Sequence, residues 1–168
     1  KQEKIHDFAW FASRKYKIYS DSVFLPSGKK IAVYTYTYSK GIFFFSYEYV
    51  KNTLLYYSDK IGDYPYGQCT IVEAEQGMGS GMEYPMIANI TSTQDTNYLK
   101  AVVVHEVGHN WFQGVLANNE REQPWLDEGI NSYYEKRATS NTLTEIEGMF
   151  EEKKKKKIGQ FFGLNDLP

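Results

Sequence analysis

The chain has 168 residues, a formal net charge of −2, and 42% apolar and 17% aromatic residues. That composition suits one packed domain or part of one and excludes a disordered segment. The near-balanced charge gives no reason to expect a nucleic-acid partner; no run of roughly eighteen apolar residues is present to span a membrane; and a lone Cys69 forms no intrachain disulfide, which leaves the redox compartment undetermined.

Asp7 to Phe24 reads as extended chain. Pro26-Ser27-Gly28 is a turn signal. From Lys29 to Tyr38 the residues alternate, with Ile31, Val33, Thr35 and Thr37 on one face and Tyr34, Tyr36 and Tyr38 on the other, as in a strand whose tyrosine face is half-buried. Gly41 to Ile61 reads as a helix, because Phe44, Tyr47, Val50, Leu54, Tyr57 and Ile61 recur at helical spacing; Gly62 is its stop. Tyr64-Pro65-Tyr66-Gly67 is a turn, and Cys69 to Ala74 a short buried strand. Residues 75–81 hold three glycines, the composition of a flexible loop whose backbone can approach a ligand. Gly81-Met82-Glu83-Tyr84-Pro85 follows, then a short strand over 86–90. Pro85 biases Tyr84 to extended geometry, which suits an edge strand along a cleft. A helix over 98–114 comes next, then a second helical stretch from Glu128 to Tyr134, antiparallel to it, with a loop around Asn118, Asn119 and Glu120 between them. Asn141 to Lys157 reads as the last helix and ends in the run Lys153–Lys157, a solvated face near a helix C-terminus.

His105-Glu106-Val107-Gly108-His109 has the HExxH pattern. On a helix the two histidines lie one turn apart on one face and can hold one metal ion. That geometry overrides the strand propensity of Val102, Val103 and Val104. Glu106 leans into the same cleft, placed to take a proton from a water in the metal's open position. Eighteen residues separate His109 from Glu128, in the segment Pro124-Trp125-Leu126-Asp127-Glu128-Gly129, and Pro124 suits a first helical turn. Two His and one Glu form a catalytic zinc set with an open position, whereas a closed structural site commonly uses cysteines, of which this chain has one. Asp127, Asn131 and Glu135 are candidates to support the ligands from behind.

HEVGHNWFQ, the spacer, WLDEGINSYYE and GMEYP, in this order, resemble the gluzincin metallopeptidases of the aminopeptidase N type, family M1. DFAWFAS and YPYGQ are similar to it as well. The resemblance implies an α+β, thermolysin-like catalytic domain, in which a small mixed sheet precedes the zinc helices. It implies a part of that domain over 1–168, with a sheet-rich portion at 1–90, a helical zinc-binding portion at 91–168, and flanking N- and C-terminal domains missing. The start at Lys1, with neither Met nor signal peptide, fits such a segment and assigns no localisation.

The resemblance further implies one zinc ion on His105, His109 and Glu128, Glu106 as the catalytic base, and a peptide substrate with a free N-terminus. The α-amino group would meet Glu83, and the backbone at Gly81 and Met82 would orient the scissile residue; Tyr84 stands where the family's motif usually has Asn. The family's oxyanion-stabilising Tyr is expected beyond Pro168, since Tyr133 and Tyr134 sit too close to Glu128, so the segment alone is expected to bind zinc and turn over slowly. The alternatives are a zinc hydrolase of the same lineage acting on another substrate, such as an epoxide, and a non-catalytic module that kept the fold.

Overall fold

The computed structural model describes residue 3 and residues 5–38, 41–74 and 81–140. The fold is α+β, with one five-stranded mixed sheet and helices packed on it. The helix expected over 141–157, with its lysine run, and the glycine-rich residues 75–80 lie outside the described residues.

The first two strands are β1, Lys17–Phe24, and β2, Lys30–Thr37. They pair antiparallel from Lys17↔Thr37 to Phe24↔Lys30. Their turn is closed by Leu25 N–H donating to Lys29 O at 2.9 Å and Gly28 N–H to Leu25 O at 2.8 Å, and Gly28 sits at φ +86°, where glycine is favoured. Residues 7–16 are not part of a strand, and Phe8 and Trp10 are exposed, so the extended segment there is shorter than expected. On β2 the alternation holds: Ile31, Val33, Thr35 and Thr37 are buried and the tyrosine face is half-buried.

The chain then enters a short 3-10 helix, Ile42–Phe45, followed by α1, Ser46–Lys60. Because a 3-10 turn holds three residues rather than 3.6, the phase slips at the join. Phe43, not Phe44, reaches the core, and Ile61 is 38% exposed rather than part of the stripe. Val50, Leu54 and Tyr57 are fully buried as the spacing requires.

Next come β3, Gln68–Glu73, β4, Gly81–Met82, and β5, Ile87–Ile90. The sheet order is β1-β2-β3-β5-β4; β2, β3 and β5 run parallel, and the two-residue β4 closes the edge antiparallel to β5. The strand expected from Met86 begins at Ile87, because Met86 belongs to a turn with φ +67°.

Helix α2 spans Thr96–Phe112. It starts two residues before the expected Tyr98 because Asp95 caps it, accepting from Asn97 N at 2.9 Å and Tyr98 N at 3.1 Å. It also stops at Phe112, short of Gly114, whose N–H bends back to His109 O at 2.8 Å. Leu99, Val103, Val104 and Val107 are buried along it, so its setting between α1 and the β4–β5 edge outweighs the β-branched propensity of the valines. Trp125–Gly129 forms one π-helical turn, and residues 130–140 continue as a helix, α3. Asp127 pairs with His109, Asn131 and Glu135 with His105, and Thr139 with Lys100, so α3 runs antiparallel to α2.

Candidate active site

The site lies where α2, the π-turn and the sheet edge meet. His105 and His109 stand one turn apart, and their Nε2 atoms face each other at 3.1 Å. Glu128 Oε2 lies 3.2 Å from His105 Nε2 and 3.9 Å from His109 Nε2. All three donor atoms fall within 4.8 Å of one another. A tetrahedral zinc with ligands near 2.0 Å places its donors about 3.3 Å apart, so the trio has the right span. Each π-turn residue advances less around the axis than in an α-helix, and this turn brings Asp127 and Glu128 to the cleft together; a wide turn of this kind often marks a functional site.

The chemistry of the trio also fits a cation. The outer nitrogens are engaged elsewhere: His109 Nδ1 is 2.5 Å from Asp127 Oδ1, and His105 Nδ1 is 3.1 Å from Glu135 Oε2. Hydrogen bonds from Nδ1–H to these carboxylates leave both Nε2 lone pairs aimed at one point beside a third, anionic donor. Nothing but a proton or a cation stabilises that convergence. Burial presses the His105 imidazolium down, yet the Glu135 hydrogen bond and the neighbouring carboxylates outweigh it and hold the group up at about 9. His109 is also raised, burial again opposing and Asp127 favouring the cation. Asn131 donates from Nδ2 to His105 O at 2.8 Å, fixing the backbone of the same turn. Gly108 makes room for this arrangement, since a Cβ there would stand 2.1 Å from Asn131 Oδ1 and 2.9 Å from the Tyr57 hydroxyl.

Glu106 is 5% exposed, and its Oε2 has no protein partner. Burial pushes its carboxyl up to about 7, with His109 pulling down and Glu83 pushing up behind that main cause. The backbone of Gly81 on β4 presses against it: a Cβ at Gly81 would lie 2.3 Å from Glu106 Oε1. Met82 is 38% exposed at the same edge. Glu83 reaches the cleft from the other side, with a carboxylate oxygen within 4.8 Å of a His109 nitrogen and an Asp127 oxygen. Burial raises its pKa, and His109 partly offsets that. The structure therefore gathers all ten residues singled out in the sequence around one cleft. It adds Asn110, which nothing in the motif pointed to: its side chain meets the turn that follows Glu83, with Oδ1 2.9 Å from Met86 N.

An α+β domain in which two histidines of one helix and a glutamate from the next converge beside a buried glutamate is the architecture of a gluzincin catalytic domain. The chain belongs to peptidase family M1, whose domain matches residues 45–161. It is 36% identical over 63 residues to aminopeptidase RNPEPL1 of Mus musculus, covering 36% of this chain and 9% of that protein. It is 32% identical over 87 residues to leukotriene A-4 hydrolase of Xenopus laevis, covering 50% of this chain and 14% of that one. The fold is similar to that of Legionella pneumophila aminopeptidase A, solved in complex with aspartic acid, at a TM-score of 0.50 and 13% identity, over 58% of this chain and 13% of that one. The chain thus matches about a tenth of the length of these relatives. Among the described residues no helix is long and apolar enough to cross a membrane.

Proposed function

We propose that the chain is part of the catalytic domain of a zinc-dependent aminopeptidase, its residues 1–90 and 91–168 forming the sheet-rich and zinc-binding portions, with flanking domains elsewhere in a longer protein. The observation that carries this reading is the convergence of His105 Nε2, His109 Nε2 and Glu128 Oε2 beside an unpartnered Glu106 carboxylate oxygen. One zinc ion held by the trio would supply Lewis acidity, lowering the pKa of a water in its open position and polarising a substrate carbonyl.

Glu106 does the proton work. Its free Oε2 accepts a hydrogen bond from the attacking water and takes the proton as the water adds to the carbonyl carbon. It then returns a proton to the leaving amine. Glu83 binds the substrate's α-ammonium, because a half-buried carboxylate with raised pKa gains most from a cationic partner. The edge strand at Gly81 and Met82 pairs with the substrate backbone and lays the scissile bond over Glu106. Asp127 and Glu135 hold the imidazoles in orientation, and Asn131 holds the His105 backbone carbonyl.

A second reading, a zinc hydrolase of another substrate class, draws on the match to the protein named leukotriene A-4 hydrolase. One set of assays separates the two: aminoacyl amides with free and N-acetylated amines, with and without chelator, on native enzyme and Glu106→Gln. The aminopeptidase reading expects cleavage of the free amine only, loss with chelator, a fall in kcat of about 10²–10⁴ in the variant, and one zinc per chain retained in it. Equal cleavage of both substrates removes the role of Glu83, and zinc lost from Glu106→Gln removes that of Glu106.

A further inference from the structure

We propose that Asn110 is a positioning residue that clamps the Glu83 loop onto the histidine helix, and so fixes how far a substrate's amino group is held from the reacting carbonyl. The role of Glu83 rests on the aminopeptidase reading above; the clamp itself rests on geometry alone.

Asn110 follows His109 on α2 and is 4% exposed. Its Nδ2 donates to Val107 O at 3.0 Å, within its own helix. That bond settles which way the amide faces, since only this orientation turns Oδ1 towards an N–H. Oδ1 accepts from Met86 N at 2.9 Å, and the Tyr64 hydroxyl lies 3.4 Å from it.

Met86 is where the clamp is needed. Tyr84 to Ile87 form a tight turn, with Ile87 N–H donating to Tyr84 O at 3.1 Å. Pro85 takes the first central position and Met86, at φ +67°, the second. That is a turn whose second central residue is ordinarily glycine. A side chain in left-handed backbone is unfavourable, and such a residue persists only where its surroundings over-determine it. Two bonds do so: Met86 O accepts from Thr70 N on β3 at 2.8 Å, and Met86 N–H donates to Asn110. The sheet holds the carbonyl of Met86 and the helix its N–H, so the peptide units on both sides of its Cα are fixed.

Glu83 lies three residues before Met86, and its carboxylate is within 4.8 Å of a His109 nitrogen. His109 and Asn110 are covalent neighbours. The loop is therefore referenced to the same helical turn that carries a metal-ligand candidate, and the separation between amine site and reacting centre becomes a property of two adjacent residues. A clamp loosened by about 1 Å is enough to cost up to 10²-fold in rate.

The test compares the native enzyme with Asn110→Ala, Met86→Gly and the double variant. It reads three things: the ratio of kcat/KM for a free-amine aminoacyl amide over its N-acetylated form, hydrogen exchange at the Met86 amide, and zinc content. In Asn110→Ala the Met86 amide should exchange at least tenfold faster while β2 amides do not change, the free-amine preference should fall about tenfold or more, and zinc should stay at one per chain. In the double variant glycine adopts the left-handed turn unaided, so the preference should recover by at least half of the lost factor. Met86→Gly alone should keep the native preference. An unchanged preference in Asn110→Ala, an equal loss on both substrates, or no recovery in the double variant overturns the proposal. If Asn110→Ala does not fold, Asn110→Ser, which is too short to reach Met86, is read by the same criteria. A native enzyme with no free-amine preference ends the aminopeptidase reading instead, and Met86 exchange then decides the clamp by itself.

Discussion

Two buried glutamates, Glu73 at the end of β3 and Glu106 on α2, are each 5% exposed, and their surroundings could hardly differ more. Glu73 Oε2 accepts from the Thr37 hydroxyl and from Tyr38 N, the latter at 2.7 Å. Those donors tie the end of β2 to the end of β3. Glu106 Oε2 accepts from no protein group, and burial lifts its carboxyl to about 7. A buried polar atom without a partner costs free energy, and folds retain one chiefly where something other than the protein engages it. At the sheet end a carboxylate joins two strands; in the cleft a carboxylate is kept short of donors.

The comparison is broken or sharpened by making both residues neutral isosteres. Glu73→Gln weakens charge-assisted hydrogen bonds and turns an N–H₂ group towards donors, so it should lower unfolding free energy by about 2 kcal/mol. Glu106→Gln removes a desolvated charge whose Oε2 has no compensating bond, so the chelated protein should be as stable as the native one or more so. Urea unfolding of both variants in chelator gives the answer, and equal losses would mean that partner count does not separate the two sites.

A smaller effect is expected at the contact that shapes the Glu106 side. The Gly81 Cα lies against the carboxylate, and a Cβ there would meet Oε1 at 2.3 Å. The obstacle is the end of a side chain, which can swing away. Gly81→Ala should therefore leave the fold and the zinc content intact while displacing the base, lowering kcat by about tenfold. Unaltered kcat with full zinc would show that the position of Glu106 is not set by the sheet edge.

What could be read in the sequence divides along physical lines. The face of β2 followed from alternation, because a half-buried strand has only two faces to choose between. The two histidines followed from helical spacing, and Asp127, Asn131 and Glu135 from their nearness in sequence to Glu128. The start of α2 was also available, since Asp95 ahead of Thr96 is a plain capping signal. Other features had no local signal. The slip that turns Phe43 rather than Phe44 inward depends on a 3-10 turn at the entry to α1. The π-turn at Trp125–Gly129 and the left-handed Met86 depend on contacts with α2 and β3, and periodicity carries no record of those partners. Asn110 was hidden for the same reason: its importance lies in the turn that it faces.

The smallest expected effect concerns Cys69, on the sheet side of the same contrast. It is 2% exposed, and burial pushes its thiol up to about 12 from an ordinary 9, the nearby Tyr64 hydroxyl pulling slightly the other way. The folded state therefore holds its proton where the unfolded chain would release it. Because the folded pKa is the higher one, this stabilisation is whole below pH 9 and is lost as pH climbs from about 9 towards 12, at up to about 1.4 kcal/mol for each pH unit. Relative to Cys69→Ala, native stability should thus drop by about 1 kcal/mol between pH 8 and pH 10. At pH 8 a disulfide-exchange reagent should modify Cys69 only as fast as the sheet opens, since attack requires an exposed thiolate. Immediate stoichiometric labelling of the folded protein would show that the β3 interior is open to solvent, and that the tightly partnered sheet is no tighter than the cleft.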